Sequence, residues 1–169
     1  TRLIIEPKIK GIGVLIFYKD GEIKEAKDKN LNCVMSHIYS MSSIPKTISY
    51  KGNIFIQGII YLNSTYKVQS KLDLRSKFSK IDYDQRIFCA YQIISCNLNQ
   101  FGNLNSIKHL GFNTPQIEYT KYTSEVNTYK ELWIQSKIFS TYPTDGIVLK
   151  VNSRKLQKQM GHVWQCQIT

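Results

Sequence analysis

Apolar runs bounded by turn residues predict the strands of this chain. Two β-prone runs flank Lys19-Asp20-Gly21 within residues 11–27, and Asp-Gly is a strong signal for a tight hairpin turn. A second hairpin is predicted over residues 48–62, with Lys51-Gly52-Asn53 at its turn. Three further strands are predicted, of which the first and the last are buried: residues 87–95, 115–122 and 145–151.

Apolar positions at helical spacing predict the helices. The clearest helix covers residues 124–140, where Ser124 suits the N-cap and the apolar face includes Trp133. Residues 30–41 also carry apolar side chains at helical spacing. Two more helices are predicted, one over residues 103–112 that ends at Gly111 in a C-cap role, and a final one in residues 153–161 with Gly161 beyond its end.

Strands with helices interspersed among them, in no strict alternation, predict an α+β fold with mainly antiparallel sheets. No internal repeat or linker divides the 169 residues, which suits a single domain. No apolar run approaches the roughly 20 residues that cross a bilayer, and no signal peptide is visible. We therefore expect no membrane partner and an intracellular location, in the cytoplasm, the nucleoid or an organelle, rather than secretion.

The charge balance indicates a polyanionic partner. The chain has 23 Lys and Arg against 12 Asp and Glu, a net charge of +11, and nucleic acid is the simplest partner for such an excess. A generally basic protein rich in Lys, Asn and Ile is the alternative. The basic segment 66–86 has too few apolar residues for a core element, so we interpret it as a surface segment. Its candidate nucleic-acid contacts, against the alternative of a solvated face, are Lys71, Arg75, Lys77 and Lys80.

The four cysteines form no C-x-x-C pair, and the three histidines are scattered. A structural zinc site is therefore not expected. We expect reduced and mostly packed thiols.

Four segments, taken in order, resemble the adenylation domain of NAD-dependent DNA ligases. They are EPKIKG at residues 6–11, FIQGIIYL at 55–62, IFCAYQI at 87–93 with the later HLGF, and TDGIVLKV at 144–151. The resemblance runs from residue 4 to about residue 165, and DGIVLKV is its most specific part. It implies a covalent nucleotidyltransferase (ATP-grasp-like) fold over residues 1–169, in a fragment or subunit without the family's OB, zinc and helix-hairpin-helix modules.

The same resemblance implies a set of site residues. Lys8 would attack the α-phosphate of NAD to give a lysyl-AMP, which requires the neutral amine. Lys150 and Asp145 match the late motif, with Lys150 contacting the α-phosphate. Adenine would stack on either Tyr18 or Tyr91. The other candidates for cofactor binding are Glu6, Gly11, Gln57 and Gly58.

Two residues depart from the family's pattern inside these motifs. Lys10 stands where the family has aspartate, and Ile59 stands where it has the glutamate that binds the AMP ribose. Residues 8 and 10 share one face of a strand, so we expect Lys10 to add positive charge beside Lys8. We expect Glu6 to pair with either lysine. An Arg-Gly-Asp-Gly loop, an Asn-Ala-Arg-like stretch and the closing Tyr-Lys motif are also not recognisable.

Two functional hypotheses follow. In the first, the domain is degenerate: adenylation is weak or lost, no cofactor is needed, and the chain is a nucleic-acid-binding or scaffold component among other protein subunits. In the second, the chain is a divergent NAD-dependent DNA ligase that uses NAD and magnesium to seal nicks, with its missing modules supplied in trans. Lys10 and Ile59 favour the first hypothesis, whereas Lys8, Asp145 and Lys150 favour the second. A nucleotide-bound sensor without turnover lies between them.

Overall fold

Two four-stranded antiparallel sheets form the framework of the protein. A computed structural model describes residues 2–63, 85–94 and 96–169 and places eight strands and four α-helices in them. The strands are β1 Leu3–Ile9, β2 Ile12–Lys19, β3 Glu22–Asp28, β4 Asn53–Leu62, β5 Arg86–Ile93, β6 Glu118–Thr120, β7 Thr144–Val151 and β8 Gln165–Ile168. The helices are α1 Met35–Ile38, α2 Gln100–His109, α3 Val126–Ile134 and α4 Arg154–Met160. The strand orders are β6-β1-β7-β8 and β3-β2-β4-β5, which confirms the α+β class with antiparallel sheets.

Each sheet buries one face against helices. The larger core lies under β3-β2-β4-β5, where alternate residues such as Ile16 and Ile56 pack with Ile38 of α1 and Ile107 of α2. The smaller core lies under β6-β1-β7-β8, where Ile5 and Ile147 pack with Trp133 of α3. Alternation along β1 and β7 turns Glu6 and Lys150 away from this smaller core, and that opposite face carries the candidate site described below.

The first predicted hairpin is confirmed. Strands β2 and β3 pair antiparallel, and the turn residues Asp20 and Gly21 both have positive φ angles, 50° and 85°. A type I′ turn requires this conformation at both positions, which Asp-Gly adopts readily. A Cβ atom on Gly21 would also lie 2.5 Å from the Ile48 carbonyl oxygen, so the turn is packed against the loop before β4.

The second predicted hairpin, over residues 48–62, is wrong. The region holds one long strand, β4, which lies between β2 and β5. Gly52 does adopt a turn conformation, with φ at 95°. However, its amide donates to the Asp20 carboxylate at 2.9 Å, so this turn packs against the first hairpin. Ile48 also donates its amide hydrogen to the Gly21 carbonyl oxygen at 2.8 Å. These residues therefore pack around the first hairpin's turn and do not form a strand.

Two predicted helices are shorter in the structure. The predicted helix over residues 30–41 is reduced to the four residues of α1, because Asp28 accepts the amide hydrogens of Asn30 and Asn32 and Leu31 has a φ of 65°. The predicted helix over residues 124–140 ends at Ile134, and positive φ angles follow at Ser136 and Phe139. Ser124 does not cap it, since a 3₁₀ turn over Thr123–Glu125 precedes α3.

The remaining helices, α2 and α4, form where the sequence predicts them, except that α2 begins earlier. In α2 the N-cap is Asn99, whose side chain accepts from the Gly102 amide, so the helix starts before the predicted residue 103. In α4 Ser153 accepts from the Leu156 amide, and Gly161 ends the helix with φ at 59°. Strands β5 and β7 are confirmed, the strand predicted over residues 115–122 covers only Glu118–Thr120, and β8 was not predicted.

The cysteines are free thiols, but packing differs among them. Cys89 is buried and Cys96 is half-buried, whereas Cys33 and Cys166 are exposed, so the expectation of mostly packed thiols is wrong for two of the four. Among the described residues, no helix is long and apolar enough to cross a bilayer.

Candidate active site

A cavity of about 550 Å³ lies where the two sheets meet. β1 and β7 of one sheet line it with residues that include Lys8 and Lys150, and β4 and β5 of the other line it with Ile59 and Tyr91. Its volume falls within the roughly 300–1,000 Å³ range of small-molecule sites. The cavity therefore brings together residues that are more than 140 positions apart in the sequence, such as Lys8 and Lys150.

Lys8 lies in the cavity wall near the end of β1. Its Nζ atom is 3.4 Å from Asp145 Oδ1 at the start of β7, and both side chains are partly exposed, at 25% and 38%. Gly146, next to Asp145, has no room for a side chain, because a Cβ atom there would lie 2.2 Å from the Ile168 carbonyl oxygen and 3.3 Å from Lys8 Cδ. The tight Asp145-Gly146 backbone thus keeps β8 and Lys8 close to the same strand.

Lys150 and Glu6 form a buried ion pair. Lys150 Nζ donates to Glu6 Oε2 at 2.7 Å, and the side chains of both residues are 4% exposed. The other carboxylate oxygen of Glu6 accepts from Gln100 Nε2, also at 2.7 Å. Such a pair is maintained only when both charges keep their hydrogen bonds, because each ion has lost its hydration. The expectation that Glu6 pairs with Lys8 or Lys10 is therefore wrong.

Tyr91 is the aromatic residue among the described residues that line the cavity. Lys150 Nζ lies 4.9 Å from the centroid of its ring, and burial, followed by the charge of Glu6, raises the pKa of Tyr91 to about 12. Tyr18, the alternative from the sequence, is fully buried in the larger core and donates its hydroxyl to the Pro45 carbonyl oxygen at 2.6 Å. Of the two tyrosines, Tyr91 is thus the one that a ligand in the cavity can contact.

Lys10 does not stand beside Lys8 in the way the strand pattern predicts. The β1–β7 register shifts between Pro7 and Ile9, so strict alternation breaks down at Lys8. The Lys10 amide donates to the Pro143 carbonyl oxygen at 2.7 Å, and Lys10 is not among the described residues that line the cavity. The structure therefore does not place the positive charge of Lys10 in the cavity wall.

Of the remaining residues implied by the resemblance, some line the cavity and others lie outside its described wall. Ile59 lines the cavity with an apolar surface, and Gly11 allows a close approach, since a Cβ atom there would lie 2.3 Å from the Ile60 carbonyl oxygen. Gly58 has a packing role on the core side, where its missing Cβ leaves space for the Phe88 ring. Gln57 is half-buried and is not among the described lining residues.

Several residues of the site were missed by sequence reasoning. Gln165 and Gln167 of β8, together with Lys29 and Cys89, also line the cavity. Burial and the nearby Glu6 raise the pKa of the Cys89 thiol to about 12, so it is a packed group rather than a nucleophile at neutral pH. Lys29 follows directly after β3, and its reach into the cavity depends on a loop that no motif marks. The predicted nucleic-acid contacts Lys71, Arg75, Lys77 and Lys80 lie outside the described residues.

Comparisons with known proteins agree with this fold. A family model for the NAD-dependent DNA ligase adenylation domain matches residues 67–166. The DNA ligase of Mesoplasma florum is 29% identical over 93% of this chain and 28% of its own length, and that of Mycoplasma capricolum is 27% identical over 94% and 28%. Among solved structures, an archaeal ATP-dependent RNA ligase superposes with a TM-score of 0.61, at 13% identity, over 91% of this chain and 40% of its own.

The two sheets have the fold that is shared by the nucleotidyltransferase domains of ligases. Within that class, the chain belongs to the family of NAD-dependent DNA ligase adenylation domains. It spans about 28% of the length of the curated relatives that it matches.

Proposed function

We propose that the chain is the nucleotide-binding part of a DNA-ligase-like protein in which adenylation is weakened. The cavity binds an adenine nucleotide, Lys8 accepts AMP slowly or not at all, and the domain serves a larger assembly as a nucleic-acid-binding component. The observation that carries this proposal is Ile59, an apolar side chain in the wall of a cavity that also presents three lysines and Tyr91 to a nucleotide.

The cavity's side chains match the parts of an adenine nucleotide. Tyr91 offers a ring face to the base, and the Lys150 ammonium beside it offers charge to a phosphate. Lys8 lines the same cavity and is the proposed amine that attacks the α-phosphate. Lys8 Nζ lies 3.4 Å from Asp145 Oδ1, so this ion pair has to open before the Lys8 amine attacks.

The adenylation step, where it occurs, is a simple displacement. The neutral Lys8 Nζ forms a bond to the α-phosphorus, the phosphoanhydride bond breaks, and the lysine proton passes to solvent. When bound, NAD supplies the adenylyl group and nicotinamide mononucleotide as the leaving group. Lys150 stabilises the negative charge that develops on the α-phosphate oxygens.

Magnesium has few protein ligands in this cavity. Among the described residues, no group of three or more His, Cys, Asp or Glu side chains comes together, and Glu6 and Asp145 are each paired with a lysine. A magnesium ion would therefore be held mainly by nucleotide phosphates and water, an arrangement that is common for this ion.

The weakening follows from lost hydrogen bonds. Each charged hydrogen bond lost to a buried substrate group costs roughly 1.5–3 kcal/mol. Two family carboxylates are replaced, by Ile59 and by Lys10, so adenylation should be slower by on the order of a thousandfold, at tenfold per about 1.36 kcal/mol. An apolar side chain facing a ribose hydroxyl also leaves that hydroxyl without a partner.

The first test is intact mass spectrometry with calorimetry. The chain is incubated with magnesium and either NAD or ATP, beside Lys8→Ala and the matched control Lys10→Ala, and AMP binding is measured separately. We expect AMP binding together with a slow gain of one AMP mass, which Lys8→Ala abolishes and Lys10→Ala retains. Full adenylation within seconds would contradict the weakened role, and undetectable AMP binding would contradict nucleotide binding altogether.

A second candidate function is an active NAD-dependent DNA ligase. It is favoured by the position of Lys10, whose charge the structure keeps out of the described cavity wall. Fast adenylation with NAD, followed by sealing of a nicked duplex once the other ligase modules are supplied, would establish it.

Binding to nucleic acid is expected to depend strongly on salt. The net charge of +11 supports phosphate contacts, and Lys71, Arg75, Lys77 and Lys80 are the proposed ones. Fluorescence anisotropy with duplex DNA and with RNA should show affinity falling linearly on a log–log plot against salt. Replacing those four residues with glutamine should make the slope shallower by about 3–4 units, at roughly 0.9 per contact with duplex DNA. The control variant replaces Lys19, Lys51 and Lys121 instead. If the salt slope of the first variant stays unchanged, its four residues do not contact the phosphates.

A further inference from the structure

A second cavity, of about 740 Å³, lies where the chain enters β1, leaves β7 and begins α2 and α4. Apart from Arg2, its described lining residues fall within residues 97–102 and 152–154, and none of them lines the candidate active site. The volume again falls within the roughly 300–1,000 Å³ range of small-molecule sites. This cavity is therefore separate from the candidate active site.

Two arginines give the second cavity its charge. Arg2 and Arg154 both line it, and none of its described lining residues is Asp or Glu. Neither arginine takes part in an ion pair among the residues that the structure describes. Arg2 is exposed, and its guanidinium carbon lies 5.7 Å from the centroid of the Tyr119 ring. Because two guanidinium groups without a carboxylate produce a positive potential, the cavity attracts an anion.

Arg154 lacks part of its set of hydrogen bonds. Its Nη1 atom donates to Gln157 Oε1 at 3.2 Å, whereas its Nε atom is buried and meets no acceptor among the described residues. A buried donor without an acceptor carries a free-energy penalty, so an added acceptor would be stabilising. A phosphate accepts two parallel hydrogen bonds from the Nε–Nη edge of a guanidinium. The side chain is half-buried, and its rotation toward the cavity would present that edge to a phosphate.

The backbone amides beside the second cavity are already taken. Asn152 accepts the Phe101 amide hydrogen at 2.9 Å, and Asn99 accepts the Gly102 amide hydrogen at 2.8 Å. An anion in the cavity therefore has to be held by side chains, chiefly the two guanidinium groups. The Leu98 and Phe101 side chains also line the cavity and are about half exposed, at 47% and 48%. Such apolar surface suits a phosphate that carries sugars, because sugar carbons pack against it.

We propose that the second cavity binds a backbone phosphate of DNA through Arg2 and Arg154. A phosphodiester combines one negative charge with flanking sugars, which matches two guanidinium groups beside Leu98 and Phe101. The net charge of +11 and the membership of a DNA ligase family favour nucleic acid over a soluble phosphate compound as the source. The choice of DNA rests on the nucleic-acid binding in the proposed function, whereas the phosphate site itself does not.

The first test measures the salt dependence of DNA binding. Arg154→Gln and Arg2→Gln each remove one charge from the cavity, and the exposed position of Arg2 makes the second replacement safe for the fold. The control is Lys155→Gln, which removes the same charge from the next residue of α4. Lys155 is exposed and is not among the described residues that line the cavity. Fluorescence anisotropy gives the affinity for duplex DNA at several salt concentrations.

Each arginine variant is expected to make the log–log salt slope shallower by about 0.9 units, and the double variant by about twice that amount. At about 0.1 M salt this corresponds to a roughly eightfold lower affinity for each single variant. Lys155→Gln should keep the slope, since a charge outside the DNA contact releases no counterion. Arginine variants with the slope of the unmodified chain, or a Lys155→Gln slope that falls as much as theirs, would overturn the proposal.

The second test observes Arg154 directly by NMR, with pyrophosphate as the probe. The chain has four arginines, so their Nε–H signals are few, and the Arg154 signal is the one that Arg154→Gln removes. At constant ionic strength, we expect this signal to shift and to saturate as pyrophosphate is added. The signal of Arg86, which is 3% exposed, should stay in place. An Arg154 signal that does not move would overturn the phosphate site.

Failure of the proposed function gives a different pattern. If the unmodified chain binds no duplex DNA, the nucleic-acid part of the proposed function fails and DNA is excluded as the ligand of this cavity. A saturating shift of the Arg154 signal would then still establish the phosphate site. If the unmodified chain binds DNA and neither arginine variant changes the slope, nucleic-acid binding stands and the second cavity is not one of its contacts.

Discussion

Replacing Ile59 with glutamate is expected to accelerate adenylation of Lys8 by about 10- to 100-fold. The new carboxylate would face the cavity and could accept a hydrogen bond from a ribose hydroxyl, which is a charged contact of roughly 1.5–3 kcal/mol. The rate of AMP addition, followed by intact mass with magnesium and with nucleotide well below saturation, measures the effect. The gain is limited by lost packing, because Ile59 also contacts the cluster of Ile9, Tyr61 and Cys89.

Two controls separate the ribose contact from other effects. Ile59→Leu keeps an apolar side chain of the same size, and Ile59→Gln offers a neutral acceptor, so the expected order of rates is Glu, then Gln, then Ile and Leu together. The gain in affinity should also be seen with AMP and disappear with 2′,3′-dideoxy-AMP, which lacks the hydroxyls. A glutamate variant that is no faster than the leucine variant would show that Ile59 does not limit the reaction.

The sequence correctly predicted the structural elements that are determined by residues close together in the chain. The Asp20-Gly21 turn, the continuous apolar run of β7 and the end of α4 at Gly161 each depend on residues within a few positions. The second hairpin failed because the Gly52 turn is stabilised by Asp20, 32 positions away. Strand β8 was missed because Gln165–Ile168 is polar and mostly exposed, and it is held by pairing with β7 rather than by burial.

In the candidate site, likewise, the residues within short motifs were predicted and their distant partners were not. Motifs located Lys8, Asp145, Lys150 and the alternative of Tyr91, since each lies within a short recognisable stretch. The partners of these residues could not be read from the sequence, because Glu6 meets Gln100 across 94 positions and Lys150 across 144. The expected Lys8–Lys10 neighbourhood failed at the register shift after Pro7, which the alternation rule does not anticipate.

Replacing Lys150 with methionine is expected to destabilise the fold by about 3–5 kcal/mol and to abolish phosphate recognition. The variant leaves the Glu6 carboxylate buried with Gln100 as its remaining hydrogen-bond partner, and an uncompensated buried charge carries a penalty of that size. Urea unfolding measures the stability, and AMP calorimetry measures the binding. The double variant Glu6→Leu with Lys150→Met removes both charges and should recover most of the lost stability.

The exposed Lys8–Asp145 pair is the comparison for the buried Lys150–Glu6 pair. Both of its side chains are partly exposed, so Lys8→Met should change the unfolding free energy by no more than about 1 kcal/mol, yet it should eliminate AMP addition completely. We therefore expect opposite signatures for the two lysines: loss of Lys150 should impair folding and binding, whereas loss of Lys8 should impair the reaction alone. If the double variant regained stability and also bound AMP normally, Lys150 would serve the fold and another cation would have to meet the phosphate. Lys29 is the candidate in that case, because it is a lysine of the cavity wall outside both ion pairs.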